Sequence, residues 1–363
     1  MNQINLLINS FDRGGAEKVF LTLAKEIDSR NRLGNVYYVE KSSNELDICG
    51  VDVHFIGLLN GNNVIFRIVN YVFALFYLTY LKLKKNNETY LSFLLYSNLI
   101  NIVSGIISFS KLSFISERSF TFSRLEKSKF YFVSKRIISF LYNRARVIIC
   151  ISNSLECELN RNGVKNTRVI YNPVTMPNLD CGKRVLEEKI TLLSIGRLHP
   201  VKNQKDLIVA TKYLENNFKE CLIYGEGKEE HCLKSLAIEL NVSEKCIFKG
   251  YQDNIYEKLI GKRLILINTS VSETFGNSVL EAMYCGVPVI VASSANGPVE
   301  IIEEGQFGLI YNIDNPEDLA SKIQYLSSKK NYDYYSDMAK ARASRFRLDM
   351  IIDEYFSALD TRQ

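Results

Sequence analysis

Twice along the chain a short apolar run of strand length is followed by a turn and a segment of helical period, and the cycle then repeats. In the first half the runs fall at residues 4–9, 35–39, 53–56, 90–93, 112–116 and 147–151; in the second they fall at 191–195, 220–224, 246–249, 264–268, 287–291 and 309–311. Strands that alternate with helices are covered on both faces, which predicts parallel sheets. Two such series predict an α/β chain of two doubly wound, Rossmann-like domains. The length, 363 residues, is too great for one ordinary core and agrees with that division. The pattern places one domain at 1–168, a linker with two prolines at 169–178, a second domain at 179–340, and a C-terminal helix at 341–363 that crosses back to the first domain.

Composition excludes several classes. With 47% hydrophobic and 23% charged residues the chain is neither disordered nor fibrous, and no repeat of 20–50 residues is visible. The eight cysteines lack any C-x-x-C spacing, which argues against a zinc site or a redox pair; they read as small buried hydrophobes of a protein kept in a reducing cytoplasm. The N-terminus has neither the basic start nor the small-residue cleavage site of a secretory signal, so export is not expected.

Charge is uneven. Residues 1–173 hold 22 Lys and Arg against 13 Asp and Glu, a balance of +9, which leaves −4 of the total +5 for the rest. Much of the excess lies at 111–146, where nine cations (among them Lys111, Lys127, Lys129, Lys135 and Arg136) face only Glu117 and Glu126, with Phe120, Phe122, Phe130, Tyr131, Phe132 and Phe140 interleaved. Such a mixture suits an anionic bilayer, with a plain solvated face as the second reading, and no nucleic-acid motif accompanies it, so a nucleic-acid partner is not expected. Residues 68–81 are almost wholly apolar and end in Lys82, Lys84 and Lys85. At 14 residues the stretch is shorter than the roughly 20 needed to span a bilayer, and its leading reading is a buried helix of the first domain, with a helix lying against a membrane as the second.

The candidate chemistry is concentrated in the second half. Glu273 precedes a helix that starts near Asn277 and contains Glu281, with Phe275, Gly276, Asn277 and Ser278 at the helix start. Amides at such a start lack helical acceptors and can hold an anion, while carboxylates accept hydrogen bonds from sugar and ribose hydroxyls. Arg197 and Lys202, five residues apart on the loop after the first strand of that half, are placed to converge on a diphosphate. Taken alone, each of these is no more than a basic loop or a pair of unrelated glutamates.

Together they resemble a known signature. Arg197 and Lys202, the Glu273 and Glu281 pair, the run from Ala282 to Ile290, and the matches at Gly14-Gly15-Ala16-Glu17, Cys150 to Ser154, Tyr171-Asn172-Pro173, Tyr224-Gly225-Glu226-Gly227 and Gly250-Tyr251 are similar to glycosyltransferase family 4, retaining enzymes of the GT-B fold. The resemblance implies two Rossmann-like domains facing each other across a cleft. It implies a nucleotide-sugar donor, UDP in first place, with Arg197 and Lys202 on the diphosphate, Glu281 on the ribose, Glu273 on the transferred sugar, and the backbone at Phe275–Ser278 on phosphate. Gly250 and Tyr251 would lie near the base, and Gly14 and Gly15 would let the first loop approach the diphosphate. No cofactor and no metal are implied, since the two cations take that role. Family members often carry a histidine where Glu117-Arg118 stands, so Arg118 is a departure, and this pair is a possible first-domain site.

The segment at 294–302 is similar to one in enzymes that build capsule, O-antigen and N-glycan chains. The expected function is therefore transfer of a hexose or N-acetylhexosamine to a lipid-linked or growing surface-polysaccharide acceptor, by a cytoplasmic protein held peripherally at the inner membrane. A GT-B nucleotide-sugar epimerase and a non-catalytic nucleotide-sugar binder are the alternatives.

Overall fold

The computed structural model describes residues 3–12, 14–41, 50–60, 63–85, 87–110, 112–126, 129–174, 187–214, 218–259 and 261–360. Among the expectations above, those for Lys111, Lys127, Cys49, Cys181 and residues 175–178 of the linker fall outside that set. The chain divides into two compact units, Met1–Thr175 together with Leu348–Gln363, and Met176–Arg347.

The first unit runs β1 (Ile4–Ile8), α1 (Gly15–Ser29), β2 (Leu33–Tyr38), β3 (Val53–Phe55), α2 (Val64–Lys84), β4 (Thr89–Phe93), α3 (Leu95–Ile107), β5 (Ser113–Glu117), α4 (Thr121–Leu125), α5 (Tyr131–Tyr142), β6 (Val147–Cys150), α6 (Asn153–Arg161) and β7 (Thr167–Val169). The second runs β8 (Ile190–Ile195), α7 (Gln204–Lys212), β9 (Phe218–Tyr224), α8 (Glu230–Glu239), β10 (Cys246–Gly250), α9 (Ile255–Lys258), β11 (Arg263–Asn268), α10 (Asn277–Tyr284), β12 (Val289–Ala292), α11 (Asn296–Ile301), β13 (Leu309–Tyr311), α12 (Pro316–Ser327) and α13 (Lys329–Ala343). The last helix, α14 (Leu348–Leu359), belongs to the first unit.

Both sheets are parallel, ordered β3-β2-β1-β4-β5-β6-β7 and β10-β9-β8-β11-β12-β13. Each therefore reverses its winding beside its first strand, between β1 and β4 or between β8 and β11, and loops at the carboxyl ends of the strands there are the ones free to bind ligands. β7 was not among the expected strands. Its three residues pair with β6 through Val169, so the chain is still in the sheet where the linker was expected to begin.

Alternation along β1 assigns the two faces of the first sheet. Ile4, Leu6 and Ile8 point into a core shared with α1 and α14, whereas Leu7 points to the side packed by Ala74 and Leu78 of α2 and Ile100 of α3. α14 is held there by more than burial. Arg32 clasps Asp360 with two hydrogen bonds of 2.8 and 2.6 Å and lies 4.4 Å from the Phe356 ring centroid.

Helix α2 differs from its expected form. It runs 21 residues and buries one stripe at four-residue spacing, Asn70, Ala74, Leu78 and Lys82, together with Thr79. Its outward side, including Ile68, Phe76 and Tyr80, is exposed, so the apolar stretch is not a buried helix. Among the described residues it is the one helix long and apolar enough to cross a membrane. A helix that is hydrophobic all round gives no sequence sign of which side faces inward, and here polar groups mark the inner side. The cysteines also split: Cys150, Cys221 and Cys246 are buried as expected, but Cys157 and Cys232 are exposed.

Lys82 is fully buried. Its ammonium nitrogen bonds the Asn101 carbonyl at 2.7 Å, the Asn101 Oδ1 at 2.7 Å and the Ser113 hydroxyl at 2.8 Å. Asn101 in turn donates to the carbonyls of Tyr90 and Phe114 and to the Ser92 hydroxyl, so one residue of α3 ties α2 to β4 and β5. Asn101→Leu, which leaves several buried partners unmatched at once, is expected to lower stability by about 2–4 kcal/mol in urea titration. Burial draws the Lys82 amine well below its ordinary range. The unfolded chain keeps that proton up to about pH 10.4, whereas the folded chain releases it earlier, so this site's contribution to stability rises with pH across that interval. The stability difference between parent and Lys82→Met should increase accordingly, as read from urea midpoints at several pH values; a decrease would contradict the assignment.

Candidate donor site in the second unit

The loop after β8 is fixed by its own main chain. Gly196 N–H donates to the Tyr224 carbonyl at 3.0 Å, Leu198 N–H to the Glu226 carbonyl at 2.9 Å, and Gly225 N–H to the Gly250 carbonyl at 2.8 Å. The loops leaving β8, β9 and β10 are thus joined edge to edge. Gly225 is required by this closeness: its φ is 132°, and a Cβ there would lie 2.0 Å from the Gly196 carbonyl oxygen. Beyond Leu198 the chain makes a 3₁₀ turn at Pro200–Lys202, with proline preset at its start and the His199 Nδ1 accepting from Val201 N–H, and reaches α7 through left-handed Asn203.

That turn is anchored to the strand next door. The Thr269 hydroxyl donates to the Lys202 carbonyl at 2.6 Å and Val271 N–H donates to the Val201 carbonyl at 2.8 Å. Two residues past Val271, Glu273 pairs with the Lys202 ammonium; both side chains are about a fifth exposed. Gly297 N–H holds the Glu273 carbonyl at 3.0 Å, and a Cβ on Gly297 would strike Thr274 and Phe275 backbone at 2.4–2.5 Å. Gly276, at φ 99°, then turns the chain into α10. Half-buried Glu281 follows on α10. The buried Tyr256 hydroxyl donates to the Ser278 carbonyl at 3.2 Å and is pushed upward in pKa by burial first and by Glu281 second.

The structure therefore brings together Lys202, Glu273 and the α10 start at Phe275, Gly276, Asn277 and Ser278, with Glu281 further along that helix. Arg197 is exposed on the same loop as Lys202, its carbonyl accepting from Gln204 Nε2 at 3.2 Å. Gly250 and Tyr251 join this edge through Glu226, whose Oε1 accepts from Tyr251 N–H at 3.3 Å. Sequence reasoning gave no role to Gly225, Glu226, Gly297 or Tyr256. The close repeat Gly225-Glu226-Gly227 was the available signal for the first two, while Gly297 and Tyr256 act through contacts distant in sequence. Among the described residues no group of three or more His, Cys, Asp and Glu side chains is placed to hold a metal ion.

The remaining candidates lie in the first unit. Gly14 caps α1 in extended conformation, and Gly15 is its first residue. Glu117 and Arg118 are interior. Glu117 accepts from the Tyr142 hydroxyl at 2.5 Å and from the amides of Arg118 and Ser119, and burial raises its pKa. The Arg118 guanidinium bonds Asn172 and the Tyr355 hydroxyl and stacks 4.4 Å from the Phe93 ring centroid. In this position Arg118 braces β5 against α14 and the segment after β7.

Residues 182–345 match the family described as glycosyl transferases group 1. A Campylobacter jejuni protein, N-acetylgalactosamine-N,N'-diacetylbacillosaminyl-diphospho-undecaprenol 4-alpha-N-acetylgalactosaminyltransferase, is 28% identical over 358 residues, covering 95% of this chain and 96% of that protein. The lipopolysaccharide 1,6-galactosyltransferase of Escherichia coli K12 is 26% identical over 217 residues, 58% of this chain and 57% of its own. Among solved structures, Anabaena HepE in complex with UDP and glucose superposes with a TM-score of 0.79 at 20% identity over 100% of both chains. TarM gives 0.79 at 14% identity over 99% of both. The chain has the GT-B fold.

Gly225→Ala should force the β8 and β9 loops apart, costing about 2 kcal/mol or more and lowering the thermal midpoint by several degrees. An unchanged midpoint in differential scanning calorimetry would show that the loops can separate freely.

Proposed function

We propose that the chain is a retaining glycosyltransferase that moves a hexose or N-acetylhexosamine from a nucleotide sugar, UDP in first place, to a lipid-linked or growing surface-polysaccharide acceptor. The observation that carries the reading is the meeting of Lys202 and Glu273 beside the start of α10, with Arg197 on the same loop, inside the domain matched to group 1 glycosyltransferases.

The chemistry follows from the charges. Breaking the bond between the sugar and the diphosphate leaves negative charge on the nucleotide, and Arg197, Lys202 and the amides opening α10 are fixed donors for it. Lys202 exchanges part of its pairing with Glu273 for phosphate, while the Glu273 carboxylate accepts from hydroxyls of the sugar and Glu281 from the ribose. In this reading the leaving phosphate itself helps to deprotonate the acceptor hydroxyl, so the sugar is attacked from the face it leaves and its configuration is kept. The alpha linkage in the names of two Campylobacter relatives is the outcome retention would give from an alpha-linked donor, and their undecaprenol-linked substrates support a lipid-linked acceptor.

Lys202→Ala is expected to lower kcat/KM at least tenfold, a loss of about 1.4 kcal/mol or more of transition-state stabilisation. The donor is found by thermal-shift screening against UDP-, GDP- and dTDP-sugars, where a ligand at about 100 times Kd adds about 2.7 kcal/mol to the folded state. An unaltered kcat/KM in the variant would remove Lys202 from the diphosphate. Conversion of the donor without acceptor would mark an epimerase, and binding without turnover a donor-binding protein.

A further inference from the structure

The first unit covers one side of its sheet with three neighbouring helices whose outward side chains are exposed. α2 packs on α3, and α3 packs on α5. The outward stripe of α2 runs through Ile65, Ile68, Val72, Phe76, Tyr80 and Leu83 at helical spacing, with Phe76 70% exposed. On α5 the outward stripe is Phe132, Val133, Arg136, Ile137 and Phe140, with Phe132 79% exposed. Phe109, just past α3, is 87% exposed. An apolar surface this continuous on a folded unit marks an interaction site.

Charge says what kind. None of the three helices contains an Asp or Glu, while Arg67 and Lys84 lie on α2 and Lys135 and Arg136 on α5, with exposed Lys129 before it and Arg144 after it. Arg67 pairs with Glu40 at 3.1 Å, but a second copy docked through the same helices would set Lys84, Lys135 and Arg136 against one another with no acid on those helices to meet them. A surface of acyl chains and anionic headgroups complements both features at once.

At 21 residues α2 is about 31 Å long, enough to span a bilayer. Its inner stripe forbids that. Asn70 accepts from Leu58 and Leu59 amides at 2.7 and 2.8 Å and donates to the Leu59 carbonyl, and Lys82 is bound to Asn101 and Ser113. Spanning would tear these groups from their partners into hydrocarbon.

We propose that α2 lies flat in the headgroup boundary of an anionic phospholipid bilayer, apolar stripe down, with the cations of α5 on lipid phosphates. This goes beyond the transfer reading and stands whether or not the acceptor carries a lipid. The full chain should cosediment with vesicles of phosphatidylcholine containing about one-third phosphatidylglycerol, and Ile68→Ser/Phe76→Ser/Tyr80→Ser should reduce that partition at least about tenfold. Lys135→Ser/Arg136→Ser should weaken the preference for anionic over neutral vesicles.

A second readout does not require removing apolar surface. The chain has no tryptophan, so Phe76→Trp installs a single fluorophore on the stripe, whose emission should shift to the blue on adding anionic vesicles. Failure of the parent to bind, equal partition of the triple variant, or an unmoved emission from the Phe76→Trp variant would overturn the proposal. So would a parent dimer that the triple variant converts to monomer while vesicle binding stays the same. Donor-induced thermal shifts, measured on the same variants, keep a failure of docking separate from a failure of the transfer reading.

Discussion

The candidate donor edge of the second unit depends on main chain packed against main chain. Where the loops after β8, β9 and β10 exchange amide-to-carbonyl bonds, there is no room for a side chain at Gly225, and the same holds for Gly297 against Thr274 and Phe275. Backbone contacts have few rotatable bonds, so they fix position more firmly than side-chain contacts do. Arg197 and Lys202 are long, mobile side chains, yet both leave from a turn fixed in this way, and Lys202 is further held through its own carbonyl by Thr269. In the proposed function, charge placed on such a rigid frame would act on developing charge without first rearranging.

The two sheets share one winding and differ in what they do with it. In the second unit the carboxyl edge gathers cations, a carboxylate and a helix start. In the first, the equivalent region carries buried polar residues that bond to one another: Glu117 with Tyr142, Asn98 with Ser92 and the Ser116 carbonyl, and Arg118 with Asn172 and Tyr355. Polar networks of this kind define one packing among several that burial alone would allow.

Much of this was legible in the sequence, for identifiable reasons. Parallel strands covered on both faces are short apolar runs, so the alternation and the two-sheet division could be read directly, and Gly276 before an amphipathic segment marked the start of α10. What could not be read was orientation. Nothing in the run from Ile68 to Leu81 says that Ala74 and Leu78 face inward while Ile68 and Phe76 face out, because almost every position is apolar; the deciding residues, Asn70 and Lys82, are polar and look like interruptions. β7 is three residues long and too short to carry a period. Arg118 drew attention as a departure from a family pattern, but its partner Tyr355 is 237 residues away. Long-range pairing of that sort leaves no local trace.

The return of α14 to the first unit bears on how the chain is made. The second unit is one unbroken stretch, whereas the first lacks Ile351, Ile352, Tyr355 and Leu359 of its core until the whole second unit has been synthesised. The segment synthesised later can thus close first, leaving the earlier one waiting with its α1 surface and Arg32 uncovered. During that interval the nascent protein offers a sticky flank to chaperones or to neighbouring ribosome products, and the arriving helix acts as the latch that ends its exposure.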